Sequence, residues 1–329
     1  MRARTFLLGP AVVAAACADE TASPDVGLEE PIRIESGQFV PGALPGSPES
    51  SASPDGGLNP QVTDISASNT AIEQGELGLL LSGHATLDAQ TVAVRFADLG
   101  TGYWIVPVGA PDPSDNGLLT WQAAADFGRG LPPGAHDLVF SAVAATGKSG
   151  TQSSLTVCVD LPVPDNLNIC VPKRPPPAAV LSLSWDSAVD LDLVVETPTG
   201  VILNARGSAA KATADGGAPT SGASGANATN GAIDRDSNRS CVIDGTNRED
   251  AVWQALPPKG EYQVWVDLFA ACGKQAVRFS VSLWVAESQP DGTQRLVEQK
   301  PPLATGLLTA AQANGGAAPG LFVGNFVLN

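Results

Sequence analysis

Between Val180 and Gly200 the chain reads VLSLSWDSAVDLDLVVETPTG, an alternation of apolar and acidic residues. Leu181, Leu183, Trp185, Val189, Leu191, Leu193 and Val195 hold odd positions, whereas Asp186, Asp190, Asp192 and Glu196 hold even ones. A period of two puts the first set on one face of a β-strand and the second on the other. The run is too long for one ordinary strand. It predicts two strands, or one bent at Asp186–Ser187. Asp is depleted in strands, and no Lys or Arg stands between Pro175 and Ala205 to neutralise these acids. The acidic face therefore needs compensation, and a bound cation is the sharpest candidate.

A second acidic segment, Asp234-Arg-Asp236-Ser-Asn238, places oxygen side chains at alternate positions, and Glu249 and Asp250 follow in another turn. Calcium takes six to eight hard oxygen ligands at about 2.3–2.6 Å. Asp190 and Asp192 point the same way with Cα atoms about 7 Å apart, so both can reach one ion or two adjacent ones. The predicted shell is Asp190, Asp192, Asp234, Asp236 and Glu249, with Asn238 and backbone carbonyls as lesser donors. An EF-hand is rejected because its Gly and terminal Glu are missing. Transition metals fit less well, since no His or free thiolate is near. The alternative is a solvated acidic face, with Arg235, Arg239 and Arg248 as ion-pair partners.

Trp185, Asp190-Leu-Asp-Leu193, Pro198-Thr-Gly200, Asp234-Arg-Asp236, Glu249, Trp253 and Lys259-Gly-Glu-Tyr-Gln-Val264 together form a pattern. It resembles the YfaP-like family of uncharacterised bacterial domains found in exported and surface-attached proteins. The likeness spans residues 179–286. Many members have His after the Asp-Leu-Asp-Leu element, where this chain has Val194. The resemblance implies a β-sandwich and no settled activity.

The rest of the chain reads as all-β: 5% aromatic residues, 35 Gly and 27 Pro, with short Val/Leu runs between turn clusters and no long helical pattern. At 329 residues it is long enough for two domains. Residues 1–16 read as an export signal, Arg2 and Arg4 followed by an apolar run too short to span a bilayer. Val13-Ala-Ala-Ala-Cys17 resembles a lipobox, which implies lipidation of Cys17 and attachment to the membrane through that lipid. Ala18, by resemblance to sorting rules, implies the bacterial outer membrane, on its periplasmic or cell-surface face. Residues 17–60 are acidic and Pro-rich, and the expectation is a disordered tether.

Residues 61–160, with strand-like runs about ten residues apart, read as an immunoglobulin- or fibronectin-like sandwich. Residues 161–178 read as a stiff Pro-rich linker. Residues 179–329 form the second sandwich, YfaP-like or jelly-roll-like, with a low-complexity insertion at 207–231. The first sandwich carries Leu131-Pro-Pro-Gly-Ala-His136, and the second repeats this turn as Leu256-Pro-Pro-Lys-Gly-Glu-Tyr262.

With Cys17 acylated, four cysteines remain and allow three pairings. Cys158–Cys170 and Cys241–Cys272 keep each pair within or beside one domain. A Cys₄ zinc site is the alternative, without CxxC spacing to support it. His84 and His136 read as surface or strand-end residues. A net charge of −16 excludes a nucleic-acid partner, which needs a basic footprint. No nucleophile elbow, Walker loop or HExxH motif occurs, and Ser208-Ala-Ala-Lys211 matches S-x-x-K by chance.

The chain thus reads as a non-catalytic, calcium-organised binding or adhesion module of a lipoprotein. The alternatives are a structural partner of an envelope protein and a carbohydrate-binding or carbohydrate-active protein. A carbohydrate reading calls for a cleft lined by Trp185, Trp253 and Trp265.

Overall fold

The computed structural model describes residues 27, 29–47, 59–205, 207–210 and 229–328, the side chains of 207–210 excepted. The signal segment, Cys17, residues 18–26, 28 and 48–58 of the predicted tether, and residues 211–228 of the insertion lie outside the described residues. The protein is all-β, two β-sandwiches in sequence; the helical elements among the described residues are two single-turn 3₁₀ segments.

In the first sandwich the strands are β1 (Ile32–Ile34), β2 (Gln38–Pro41), β3 (Val62–Ala67), β4 (Ala71–Ile72) and β5 (Leu79–Thr86). They continue as β6 (Thr91–Phe96), β7 (Gly102–Pro107), β8 (Leu118–Phe127), β9 (Gly134–Val143) and β10 (Ser153–Val159). One sheet has the order β1-β8-β5-β3 and the other β2-β7-β6-β9-β10-β4. Their inner faces enclose Leu81, Phe96, Trp121, Leu138 and Phe140.

Two strands come from the stretch expected to be a tether. Ile32 and Ile34 are buried and pair with Phe127 and Ala125, and Phe39 packs at a tilt against Trp104 with ring centroids 5.4 Å apart. The Trp104 indole N–H donates to the Ile32 carbonyl at 2.7 Å. The tether expectation is therefore wrong for residues 32–41. Charged neighbours hide a three-residue strand whose alternate residues still reach the core.

The second sandwich contains β11 (Ala179–Trp185), β12 (Asp190–Glu196), β13 (Val201–Asn204), β14 (Gly207–Ala210), β15 (Ala232–Ile233) and β16 (Arg248–Trp253). It is completed by β17 (Gly260–Ala270), β18 (Ala276–Ser288), β19 (Gln294–Glu298), β20 (Ala304–Thr309) and β21 (Leu321–Leu328). The alternating stretch does divide in two, and its halves enter opposite sheets. β11 is central in β15-β16-β11-β18-β19, where β20 also pairs with β18, and β12 is central in β14-β13-β12-β17-β21. The odd residues Leu181, Leu183, Leu191, Leu193 and Val195 fill the space between the sheets with Trp253, Tyr262 and Phe279. The predicted insertion begins with a strand rather than a loop, because 207–210 continue the β13 hairpin.

Both Pro-Pro turns have the same construction. Gly134 and Gly260 adopt φ of +134° and +136°, a region open to glycine but not to side-chain-bearing residues. Two residues on, the His136 Nε2–H donates to the Pro132 carbonyl at 2.8 Å and the Tyr262 hydroxyl donates to that of Pro258 at 2.7 Å.

The Pro-rich connector is a packed element. Leu161 and Val163 lie on the outer face of the β11 sheet against Val180, Val252, Trp284 and Leu296. Asp165 caps its own turn, accepting from the Leu167 and Ile169 amides at 2.9 and 2.7 Å. Cys158–Cys170 and Cys241–Cys272 are the disulfides, with Cα–Cα distances of 5.7 and 5.4 Å. The first ties the end of β10 to the connector. The second ties the 234–247 loop to the turn after β17.

Candidate metal centre

Asp190, Asp192 and Asp236 come together, one carboxylate oxygen of each lying within 4.8 Å of the others. β12 delivers the two even residues on the face opposite its core residues. The loop after β15 then folds over that face, so Asp190 and Asp192 are only 2% and 8% exposed. A buried carboxylate is costly unless hydrogen-bonded, protonated or matched by a cation.

The loop holds its shape through Asn238, whose side-chain amide donates to the Val189 carbonyl and to Asn247 Oδ1, and whose Oδ1 accepts from the Asp244 amide. These bonds commit Asn238 to the loop rather than to an ion. Asn238, Ser240 and Cys241 adopt positive φ of 60°, 51° and 63°. The next-door Cys241–Cys272 bridge pins this unusual backbone, and the Ser240 amide donates to Asp190 Oδ2 at 2.6 Å. Arg239 Nε lies 3.5 Å from Asp236, on a side chain that is mostly exposed. Such a pair contributes little in water.

Glu249 lies behind the trio, in strand β16 rather than in a turn. Its side chain points inward from one sheet and reaches the other: Oε2 accepts from the Leu193 amide at 2.7 Å and Oε1 from the Ser237 amide at 3.3 Å. Burial, reinforced by the charges of Asp192 and Asp236, pushes its carboxyl up to about 9, against the pull of the two amides. At neutral pH it holds a proton unless a cation takes the proton's place.

The predicted shell does not converge completely. Asp234 Oδ2 pairs with Arg235 Nε and its Oδ1 accepts from the Asp250 amide, both at 2.9 Å. Asp234 thus braces the opposite side of β16 and is not in the trio. Asp186 is separate too, accepting from the Arg278 amide and the Ser187 hydroxyl. Asp250 faces the connector; burial pushes its carboxyl up to about 7, while Ser182 and the nearby Arg248 and Arg235 oppose the rise.

Asp267 was not anticipated. It is the register partner of Asp192 on β17, is 3% exposed, and accepts from the Asn314 side-chain amide. The signal was present, since Glu261, Gln263, Trp265 and Asp267 alternate with Tyr262, Val264 and Val266. Trp185 and Trp253 belong to the core between the sheets, so among the described residues they do not line a cleft with Trp265. His84 sits between Asp64 and Asp112 at 2.7 and 2.6 Å, and its Asp64 hydrogen bond leads the effects that raise its pKa.

No family model and no curated protein matches the chain. Among solved structures it aligns with the major pilin subunit BcpA of Bacillus cereus, at 11% identity over 77% of this chain and 67% of that one. The TM-score is 0.20, too low to carry fold or function across. No described helix is long and apolar enough to cross a membrane.

Proposed function

We propose that the chain is an exported, envelope- or surface-anchored binding module whose second sandwich is organised by calcium. The carrying observation is the trio of Asp190, Asp192 and Asp236, closed within 4.8 Å by a loop that a disulfide pins in place. Its donors are all hard oxygens, the ligand type that Ca²⁺ takes and softer metals do not require. Glu249 stands close enough to feel the charge of two of them, and a divalent ion there would let it ionise. Mg²⁺ is the poorer occupant, because it demands near-octahedral geometry and keeps its waters.

Export is supported by two disulfides, which form and persist in oxidising compartments. Attachment is supported by the lipobox-like Val13–Cys17 segment. A binding role is preferred to hydrolysis because the carboxylates gather on one spot. Glycoside hydrolysis needs two of them facing each other across a sugar. The YfaP-like resemblance agrees with an exported sandwich and adds no chemistry.

The anchoring is tested with Cys17→Ser. The variant is expected to accumulate as unprocessed precursor and to leave the detergent phase. Normal processing to a soluble form would sink the lipoprotein reading while leaving the calcium site intact.

A further inference from the structure

Beside the acidic trio, the outer face of the β12 sheet carries a groove of about 510 Å³. Its floor is Val194 and Trp265, register partners on β12 and β17. Phe322 of β21 packs against Trp265 at 5.5 Å and 64°, which fixes the indole in place. Residues 316–319 overhang one side, beyond β17, and Ile202 and Asn204 of β13 bound the other. Among the described residues its polar lining is Asp192, Asp267, Glu196 and Asn204, with no Lys or Arg. Asp192 borders both this groove and the trio.

We propose that this groove binds a neutral glycan, with one sugar ring laid on Trp265. The inference rests on reading the chain as a binding module and supplies its ligand class. A pyranose ring presents C–H groups on its faces and hydroxyls around its edge. The first suit an amphipathic aromatic surface. The second are donors that carboxylates and an amide oxygen accept as charge-assisted or ordinary hydrogen bonds. The groove is mostly apolar with a few convergent polar groups, as small-ligand sites are. The carboxylates of the described lining disfavour phosphorylated, sulfated or uronic sugars, whose like charge they repel. The shared Asp192 links the two sites, so an ion that orients its carboxylate also orders the groove.

The test is calorimetric titration of the full chain, in calcium, with neutral oligosaccharides of glucose, mannose, xylose and N-acetylglucosamine, and with oligolysine for comparison. At least one neutral series is expected to bind, and Trp265→Ala to weaken it by about tenfold or more, the usual size of a central aromatic anchor. Trp265→Phe is expected to retain part of the affinity, and both variants to keep the wild-type far-ultraviolet circular dichroism in calcium, which shows that they remain folded. Silence of every neutral series, binding undiminished in Trp265→Ala, or binding of oligolysine alone would overturn the proposal. Calcium binding measured on the Trp265→Ala protein separates this claim from the previous one. A normal calcium response beside absent sugar binding rejects the groove and leaves the ion site standing.

Discussion

At the residue scale the decisive group is Glu249, fully buried and close enough to Asp192 and Asp236 to feel their charge. Its folded-state carboxyl is raised from 4.5 to about 9, so between those values the folded protein binds more protons than the unfolded chain. Stability is then lost as pH rises, at up to about 1.4 kcal/mol per unit for a fully titrating group. Asp250, raised to about 7, adds a similar loss at lower pH. Above pH 7 the slope belongs mainly to Glu249. In chelator, melting temperature is expected to fall from pH 7 to 9, and Glu249→Gln to flatten that fall. A slope unchanged in the variant would place the titrating group elsewhere. Asp190 and Asp192 were legible because a period of two and an absence of cations are properties of the string. Asp234 was misplaced because alternation on a loop, unlike alternation on a strand, does not tell which way a carboxylate turns.

At the scale of elements, strands with sustained alternation were legible, and those made by distant pairing were not. β1 offers three residues, Ile-Arg-Ile, inside an acidic and Pro-rich background. Only the ladder to β8, some ninety positions on, makes it a strand. Ile34→Ala is expected to cost about 2–5 kcal/mol in urea unfolding, the usual penalty for emptying a buried aliphatic site. A change under about 0.5 kcal/mol would restore the tether reading for this stretch. The Cys241–Cys272 bridge closes a separation of 31 residues and contributes about 2–4 kcal/mol. Because it also pins the loop bearing Asp236, Cys241→Ala with Cys272→Ala is expected to weaken calcium binding more than Cys158→Ala with Cys170→Ala. Equal effects would show that the bridge acts on global stability alone.

At the scale of the whole molecule, a division into two sandwiches was visible in turn spacing and in the repeated Pro-Pro turn. The role of the connector was not. Its prolines suggest an exposed spacer, whereas Leu161 and Val163 cover apolar residues that β11 and β18 present on their outer face. The sequence hint is β11 itself, where Val180 is as buried as Leu181 and Leu183, a pattern that needs cover on both faces. A packed connector is expected to resist limited proteolysis under conditions that cut exposed loops. Rapid cleavage within 161–178, yielding two separate folded fragments, would contradict it.

The central claim, that buried carboxylates on β12 and the following loop hold calcium, is tested most directly by titrating the full chain with calcium and following heat and melting temperature together. Saturable binding is expected with Kd of about 10⁻³ M or tighter, as in extracellular modules. At a hundredfold excess over Kd the fold gains about 2.7 kcal/mol. Magnesium is expected to do much less, and Asp190→Asn with Asp192→Asn to abolish the response. A wild-type chain that ignores calcium, together with a double variant that is more stable at low salt, would show that these carboxylates only repel one another.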